Sequence, residues 1–346
     1  MATRDLTVMG GGVFGLSIAW EAARRGARVR LIEVARIGAG ASGGLVGALA
    51  PHMPENWNPK KAFQLDSLLM AEGFWAGVAA AGGIDPGYAR SGRLQSLADA
   101  AAVDKARERA TSAASLWQGR AEWRVIPAAG LDWAPQSASG WLIHDTLTAR
   151  LSPRGAGAAL VAAIRAKGGE VVLGEAPATG PVVWATGVAG LADLSAHLGR
   201  TVGGAVKGQA LSLRHDARDL PQVYAEGLHV VPHADGTVAI GSTSERDWHD
   251  PASTDDQLEA LHQAAVAALP QLAGAEVVTR WAGLRPRARS RAPMLGPWPG
   301  REGHFVANGG FKIGFGMAPK VAQVMVDLVL EGRDAIPKGF RVEDSL

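Results

Sequence analysis

The stretch DLTVMGGGVFGLSIAWEAARRGARVRLIE, residues 5–33, decides the fold. DLTVM (5–9) is a short apolar run of strand type, Phe14 to Arg25 has helical character and stops at Gly26, and RVRLIE (28–33) is a second strand. A β-α-β unit therefore opens the chain. Its turn, Gly10-Gly11-Gly12-Val13-Phe14-Gly15, fits G-x-G-x-x-G, which by itself is a weak signal in a chain with 45 glycines. Context strengthens it: a strand precedes, a helix follows, and an acidic residue, Glu33, ends the next strand. Each part has a physical task. Gly10 permits the tight turn, Gly12 lets backbone amides approach a pyrophosphate, and Gly15 lets the helix pack closely on the sheet. The helix N-terminus meets the negative charge, while Glu33 accepts hydrogen bonds from a ribose diol. The loop calls for a dinucleotide and leaves FAD and NAD both open.

Outward from this unit, a glycine-rich loop covers 37–51, and Ala62 to Ala80 is a long apolar-periodic helix stopped by Gly82 and Gly83. Residues 99–118 read as an alanine-rich helix. Ser152-Pro153 starts a helix that ends at Gly168 and leads into EVVL. VVWATG (182–187) is a buried strand closed by Gly187, and VKGQALSL is another strand. LHVVPHADGTVAIGST is a hairpin around Asp235-Gly236. Thr254 with Gln257 resembles a capping box, HFVAN is a strand, and Pro319 is placed at the start of a closing helix after a glycine-dense turn at 309–316. This alternation predicts an α/β (α+β) fold. A Rossmann-like dinucleotide domain (1–85, 151–206 and 281–346) interleaves with a mixed-sheet substrate domain (86–150 and 207–280).

Composition narrows the function. The 346 residues carry 35 basic and 33 acidic side chains, a near balance that argues against nucleic acid as partner. With no cysteine there is no disulfide, thiolate ligand, thiol nucleophile or thioether-linked cofactor. The apolar N-terminal run could be mistaken for a signal-peptide core, but its glycines make a poor helix and only Arg4 precedes it. No other run approaches the ~20 apolar residues of a membrane span, so the expectation is a soluble, cytoplasmic protein. Metal is not expected either. His229 and His233 are four apart but lie in a strand approaching a turn.

Two motifs compete for the chemistry. Gly40-Ala41-Ser42-Gly43-Gly44 matches the G-x-S-x-G elbow of serine hydrolases, but the buried strand that must precede it is missing, and a loop serine that binds phosphate is the better reading. WAGLRPRARSRAP (281–293) sets Arg285, Arg287, Arg289 and Arg291 at every second position, which is either a phosphate-gripping stripe or one substrate anchor among surface charges. Pro286 disfavours a regular central strand there.

Several blocks, in order, carry a family resemblance over nearly the whole chain: the first loop with Glu33, GASGG…GALAPH, VKGQ, VVPHADGTVAIGST, RWAGLRP and GGFKIGFGMAP. The chain resembles the D-amino-acid oxidase family of FAD-dependent oxidoreductases, the glycine-oxidase branch above all. The resemblance implies non-covalent FAD. Gly10, Gly12, Val13, Phe14, Gly15 and Glu33 would hold its ADP half, with Gly187 nearby. Ala41, Ser42, Gly47 and Ala48 would line the ribityl and flavin region, and Gly310, Phe311, Ile313, Gly314, Phe315 and Gly316 the isoalloxazine. A helix following that last loop would also direct its positive end at a reduced flavin. Arg285 would bind the substrate carboxylate, leaving the other three arginines as solvated charges.

The implied reaction is oxidation of a small amino acid or related amine. Hydride passes to flavin N5, the imine hydrolyses to a keto acid and ammonia, and dioxygen or another electron acceptor, with peroxide in the oxygen case, closes the cycle. Alternatives that keep FAD are a modified tRNA base as substrate, a dehydrogenase, or a non-catalytic binding module. Three departures bear on substrate identity. Lys312 stands where the branch has a second carboxylate-binding arginine, His229 takes the place of an active-site tyrosine, and the short GEAPATGP linker leaves the adenine contact unassigned. His52 is the candidate should the flavin instead be attached through a histidine.

Overall fold

The computed structural model describes residues 5–346; Arg4 and the first four positions of the 1–85 segment lie outside the described residues. In chain order the elements begin β1 (Asp5–Met9), α1 (Val13–Arg24), β2 (Arg28–Glu33), β3 (Ala48–Leu49), α2 (Pro59–Gly82) and β4 (Arg93–Ser96). Then come α3 (Ala100–Trp117), β5 (Trp123–Pro127), β6 (Trp141–Asp145), β7 (Ala149–Arg150), α4 (Pro153–Ala166), β8 (Glu170–Leu173) and β9 (Val182–Trp184). They continue with α5 (Gly187–Leu198), β10 (Gly203–Arg214), β11 (Gln222–Ala225), β12 (Leu228–Pro232) and β13 (Thr237–Gly241). The chain closes with α6 (Asp256–Ala268), β14 (Val277–Ala288), β15 (Met294–Pro297), β16 (His304–Asn308) and α7 (Gly314–Glu331).

Among the described residues these strands form two large sheets and a two-stranded ribbon, β3-β7. The six-stranded sheet runs β15-β16-β9-β1-β2-β8, parallel throughout except for β15. Helices α1, α2, α4 and α7 pack on one another beside it. Their core includes Ile18, Trp20, Trp75, Leu160 and Met325. The eight-stranded sheet runs β14-β10-β13-β12-β11-β4-β6-β5 and is antiparallel except for β11 beside β4. Helix α6 covers it through Leu258 and Ala265. This is the α/β fold with interleaved sheets that the sequence predicts.

One local expectation is met and two are corrected. Pro286 lies in β14, an edge strand and not a central one, as the proline requires. Its carbonyl faces away from β10 and accepts the Phe311 N–H at 3.0 Å, so the missing N–H falls on the unpaired side. The cap of α6 is Asp255, whose carboxylate accepts the Gln257 N–H, not Thr254. Helix α7 begins at Gly314 with Pro319 inside it, and Ser67 Oγ of α2 accepts the Lys320 N–H at 3.2 Å just after the proline.

Candidate active site

β1, β2, β9 and β16 end on the same edge of the parallel sheet, and the loops that leave these carboxyl ends build the site. In open α/β sheets this edge is where ligands bind. Gly10 has a left-handed φ of 109°, and a Cβ there would stand 2.5 Å from the Ala185 carbonyl after β9. At Gly15 a Cβ would stand 2.0 Å from the Gly10 carbonyl, so any side chain would push α1 off the loop. Gly12 starts α1 without a side-chain cap of its own. Instead Ser42 Oγ accepts the Val13 N–H at 2.9 Å, which brings the 41–43 turn to the helix N-terminus. That bond, and the position of Ser42 in a short turn instead of at a strand-to-helix corner, removes the hydrolase elbow.

Glu33 is buried and oriented. Its carboxylate accepts the Gly11 N–H at 2.7 Å and the Ala35 N–H at 2.8 Å. A cavity of about 400 Å³ follows, with Gly11, Val13, Arg36, Ser42, Arg154 and Phe315 in its wall. Arg36 and Arg154, which the sequence reading does not single out, bring positive charge to it. Gly47 has φ 65° and must be glycine, because a Cβ would meet the Leu151 carbonyl at 1.9 Å; Ala48 then pairs with Arg150. The Gly187 carbonyl accepts from Asn308 Nδ2 at 2.8 Å, tying the ends of β9 and β16 together.

The 310–316 segment approaches the first loop. A Cβ on Gly310 would be 2.9 Å from Phe14 Cζ, and one on Gly314 would be 3.4 Å from Val13 Cγ1. Hence the N-termini of α1 and α7 face one crevice, with Ile313 at the α7 cap. Gly316 is a packing position, seated on Leu68 of α2. The glycine cradle, the oriented acid, the basic side chains at the cavity and two helix N-termini fit a long anionic dinucleotide.

Arg285, on β14, is 7% exposed. Its Nη1 donates to the Thr243 carbonyl at 3.1 Å and the Lys207 carbonyl at 3.5 Å, while Nε and Nη2 have no acceptor among the described residues. Burial pushes its pKa down to about 10, opposed by the Glu245 carboxylate. Sequence reasoning misses what makes room for it. A Cβ on Gly208, in the neighbouring β10, would stand 1.9 Å from the guanidinium. Glu245 is itself held by Gln209 Nε2 at 3.1 Å and Lys207 Nζ at 3.5 Å. The only outward sign of this arrangement is the VKGQ tetrad, residues 206–209.

Lys312 and His229 join Arg285. Burial and the Arg285 charge lower the Lys312 pKa. Burial, then Arg93 and Lys312, lower that of His229 to about 3, so its ring stays neutral. That ring lies 4.8 Å from the Tyr224 ring, and its Nδ1 has no partner among the described residues. His233 is engaged elsewhere, with Nε2 3.0 Å from the Leu45 carbonyl, and among the described residues no three metal-ligating side chains cluster. His52 belongs to another neighbourhood: its ring and backbone both meet Gln64 of α2, and burial lowers its pKa. Of the remaining stripe, Arg289 and Arg291 are exposed. Arg287, expected as a solvated charge, is half-buried and stacks its guanidinium 5.7 Å from the Phe311 ring centroid.

This crevice and the sheet beneath it are those of a two-sheet dinucleotide-binding oxidoreductase. Residues 5–328 match the model of the DAO family, FAD dependent oxidoreductase, and the chain belongs to that family. It is 41% identical to glycine oxidase from Pseudomonas putida over 125 residues, 36% of this chain and 34% of that relative, so the match spans about a third of the relative's length. Over 354 residues it is 28% identical to glycine oxidase from Geobacillus kaustophilus, covering 94% of this chain and 92% of the relative. Its fold is similar to the crystal structure of iminodiacetate oxidase from Chelativorans sp. BNC1, with a TM-score of 0.85 and 21% identity over 97% of this chain and 98% of that one. No helix among the described residues is long and apolar enough to cross a membrane.

Proposed function

We propose that the protein oxidises a small amino acid or related amine with FAD, holding the substrate carboxylate on Arg285. The observation that carries this reading is the buried guanidinium with one nitrogen fixed by backbone carbonyls and its remaining fork unpartnered beside the crevice. Membership of the family supports FAD as the dinucleotide, and the likeness to glycine oxidases supports an amine substrate. The Gly10–Gly15 loop with Glu33, Ala41 and Ser42, Gly47 and Ala48, Gly187 and the 310–316 segment would hold the cofactor without a covalent bond. When bound, FAD supplies the oxidation by accepting at N5 the hydride of the carbon that bears the amine, and dioxygen or another acceptor regenerates it.

The chain's own part is binding and alignment. Two charge-assisted hydrogen bonds from the Arg285 fork fix the carboxylate in plane, which removes much of the entropy cost of orientation. Lys312 adds positive charge without a fork and constrains geometry less. The imine then leaves as a keto acid and ammonia after hydrolysis. In this reading 1–85, 151–206 and 281–346 serve the dinucleotide, while 86–150 and 207–280 serve the substrate. β14 is shared: it belongs to the eight-stranded sheet yet touches the 41–43 turn.

The test is anaerobic reduction of the bound flavin by glycine, sarcosine, D-amino acids and cyclic imino acids. At least one should bleach it. Bound FAD that no amine reduces would leave only a binding module.

A further inference from the structure

Arg285 and Arg287 are two residues apart on a strand and project from one face. Across from them β10 offers almost no side chain. Gly204 pairs with Arg287, Val206 with Arg285 and Gly208 with Gly283. Space beside Gly204 is open, and the space beside Gly208 is taken by the Arg285 guanidinium itself. The result is a shallow trough whose functional side chains are the two arginines.

Next to Arg285 a cavity of about 220 Å³ opens, lined by Val206, Ser244, Arg246, Arg287, Phe311 and Lys312. Three of these are cations, and among the described residues none of the three has a carboxylate within 4.0 Å. Several arginines elsewhere are matched: Arg25 bonds Glu21 and Asp327, Arg109 bonds Glu55, and Arg341 bonds Asp334. Concentrating like charge without a counter-charge is unfavourable, and here the arrangement is held in place. Phe311 sits at a left-handed φ of 44°, fixed by its N–H on the Pro286 carbonyl at 3.0 Å. Its ring centroid lies 5.7 Å from Arg287 Cζ and 5.8 Å from Lys312 Nζ, within cation–π reach of both. A strained residue that organises charges is a mark of a binding site.

We propose that this cavity is a second anion subsite, and that the substrate is an amine carrying two carboxylates, one on Arg285 and the other among Arg246, Arg287 and Lys312. The assignment of an amine rests on the oxidase reading above; the two-anion geometry does not. Positions two apart on a strand are about 7 Å apart. The Arg285 guanidinium is held over Gly208, so the reach comes from the half-buried Arg287 side chain in the cavity wall, and two carboxylates separated by three atoms bridge the two arginines. The Lys312 pKa is lowered by burial first and by the Arg285 charge second, and an anion in the cavity would offset both.

Glutarate, a dicarboxylate without an amine, and butyrate, its one-carboxylate counterpart, test this by titration calorimetry on the FAD-loaded protein. Glutarate should bind about 10–100-fold more tightly, the value of an added charge-assisted contact. Arg287→Ala should collapse that ratio toward one. Arg246→Ala, on an exposed side chain whose loss leaves the fold alone, should reduce it. A wild-type ratio near one, or a ratio unchanged in both variants, overturns the subsite. If glutarate discriminates as expected while no amine in the anaerobic panel reduces the flavin, the subsite stands and the oxidase reading falls. If amines reduce the flavin but the ratio is flat, only the subsite falls.

Discussion

At the scale of single residues, Arg285 depends on an absence next to it. A Cβ on Gly208 would overlap the guanidinium, so Gly208→Ala should displace the fork while leaving its charge in the chain. Catalytic efficiency on the best amine should fall at least tenfold. Arg285→Ala removes fork and charge, and leaving a buried partner charge unpaired costs ~3–5 kcal/mol, roughly two to four decades in kcat/KM. FAD content should stay near wild type in both, because the residues proposed to hold it lie elsewhere. Exposed Arg289 and Arg291 should tolerate alanine with little effect. Steady-state kinetics of the four variants check this, and a Gly208→Ala enzyme with wild-type kinetics would refute the packing argument. The contrast also explains what the sequence discloses at this scale. Arg285 stands in a legible block, RWAGLRP, whereas the task of Gly208 is set by a side chain two positions along the neighbouring strand, a pairing no local pattern contains.

At the scale of elements, the prolines and caps show where local rules stop. Proline rules keep Pro286 off a central strand, and the edge position of β14 obeys them. The same rules place Pro319 at a helix start, an expectation blind to Ser67 of α2, which accepts the N–H just after it. At the start of α6 the sequence offers Thr254, Asp255 and Asp256 in a row, and the choice falls to Asp255 because its carboxylate also accepts from Gln209 Nε2 at 2.8 Å. Asp255→Ala should therefore lose the cap and a tie to β10, lowering Tm by roughly 2–4 °C. Thr254→Ala should leave Tm within error. Thermal melts of the pair decide it, and the reverse order would restore Thr254 as the cap. Helices with two concordant end signals were the legible ones: Ser152 with Pro153 does cap α4, accepting the Gly155 N–H at 3.1 Å.

At the scale of the whole molecule, the parallel sheet is readable because its parallel strands other than β2 lead into glycine within a few residues, and its carboxyl edge is marked by Gly10, Gly187 and Gly309 in positive φ. Much of the larger sheet is not. Arg93–Ser96, Trp123–Pro127, Trp141–Asp145 and Gln222–Ala225 are short strands of mixed polarity whose identity comes from pairing across long separations. The crevice couples the separate segments, since α1, the 41–43 turn, α4 and α7 all meet there. A ligand filling it should stabilise the molecule as one unit. Flavin-depleted protein should melt at a lower temperature than the holoprotein, and FAD at a hundredfold excess over its Kd should restore about 2.7 kcal/mol. NAD at the same concentration should not, and a melt that rises with NAD and ignores FAD would contradict FAD as the dinucleotide. Acid precipitation of the yellow holoprotein should leave the flavin in the supernatant, because the chain has no cysteine to retain it. Colour that stays in the pellet would overturn non-covalent binding and point to a histidyl link. His52→Ala would then be the first variant to examine, with loss of the retained colour identifying the attachment and its persistence moving the search to another histidine.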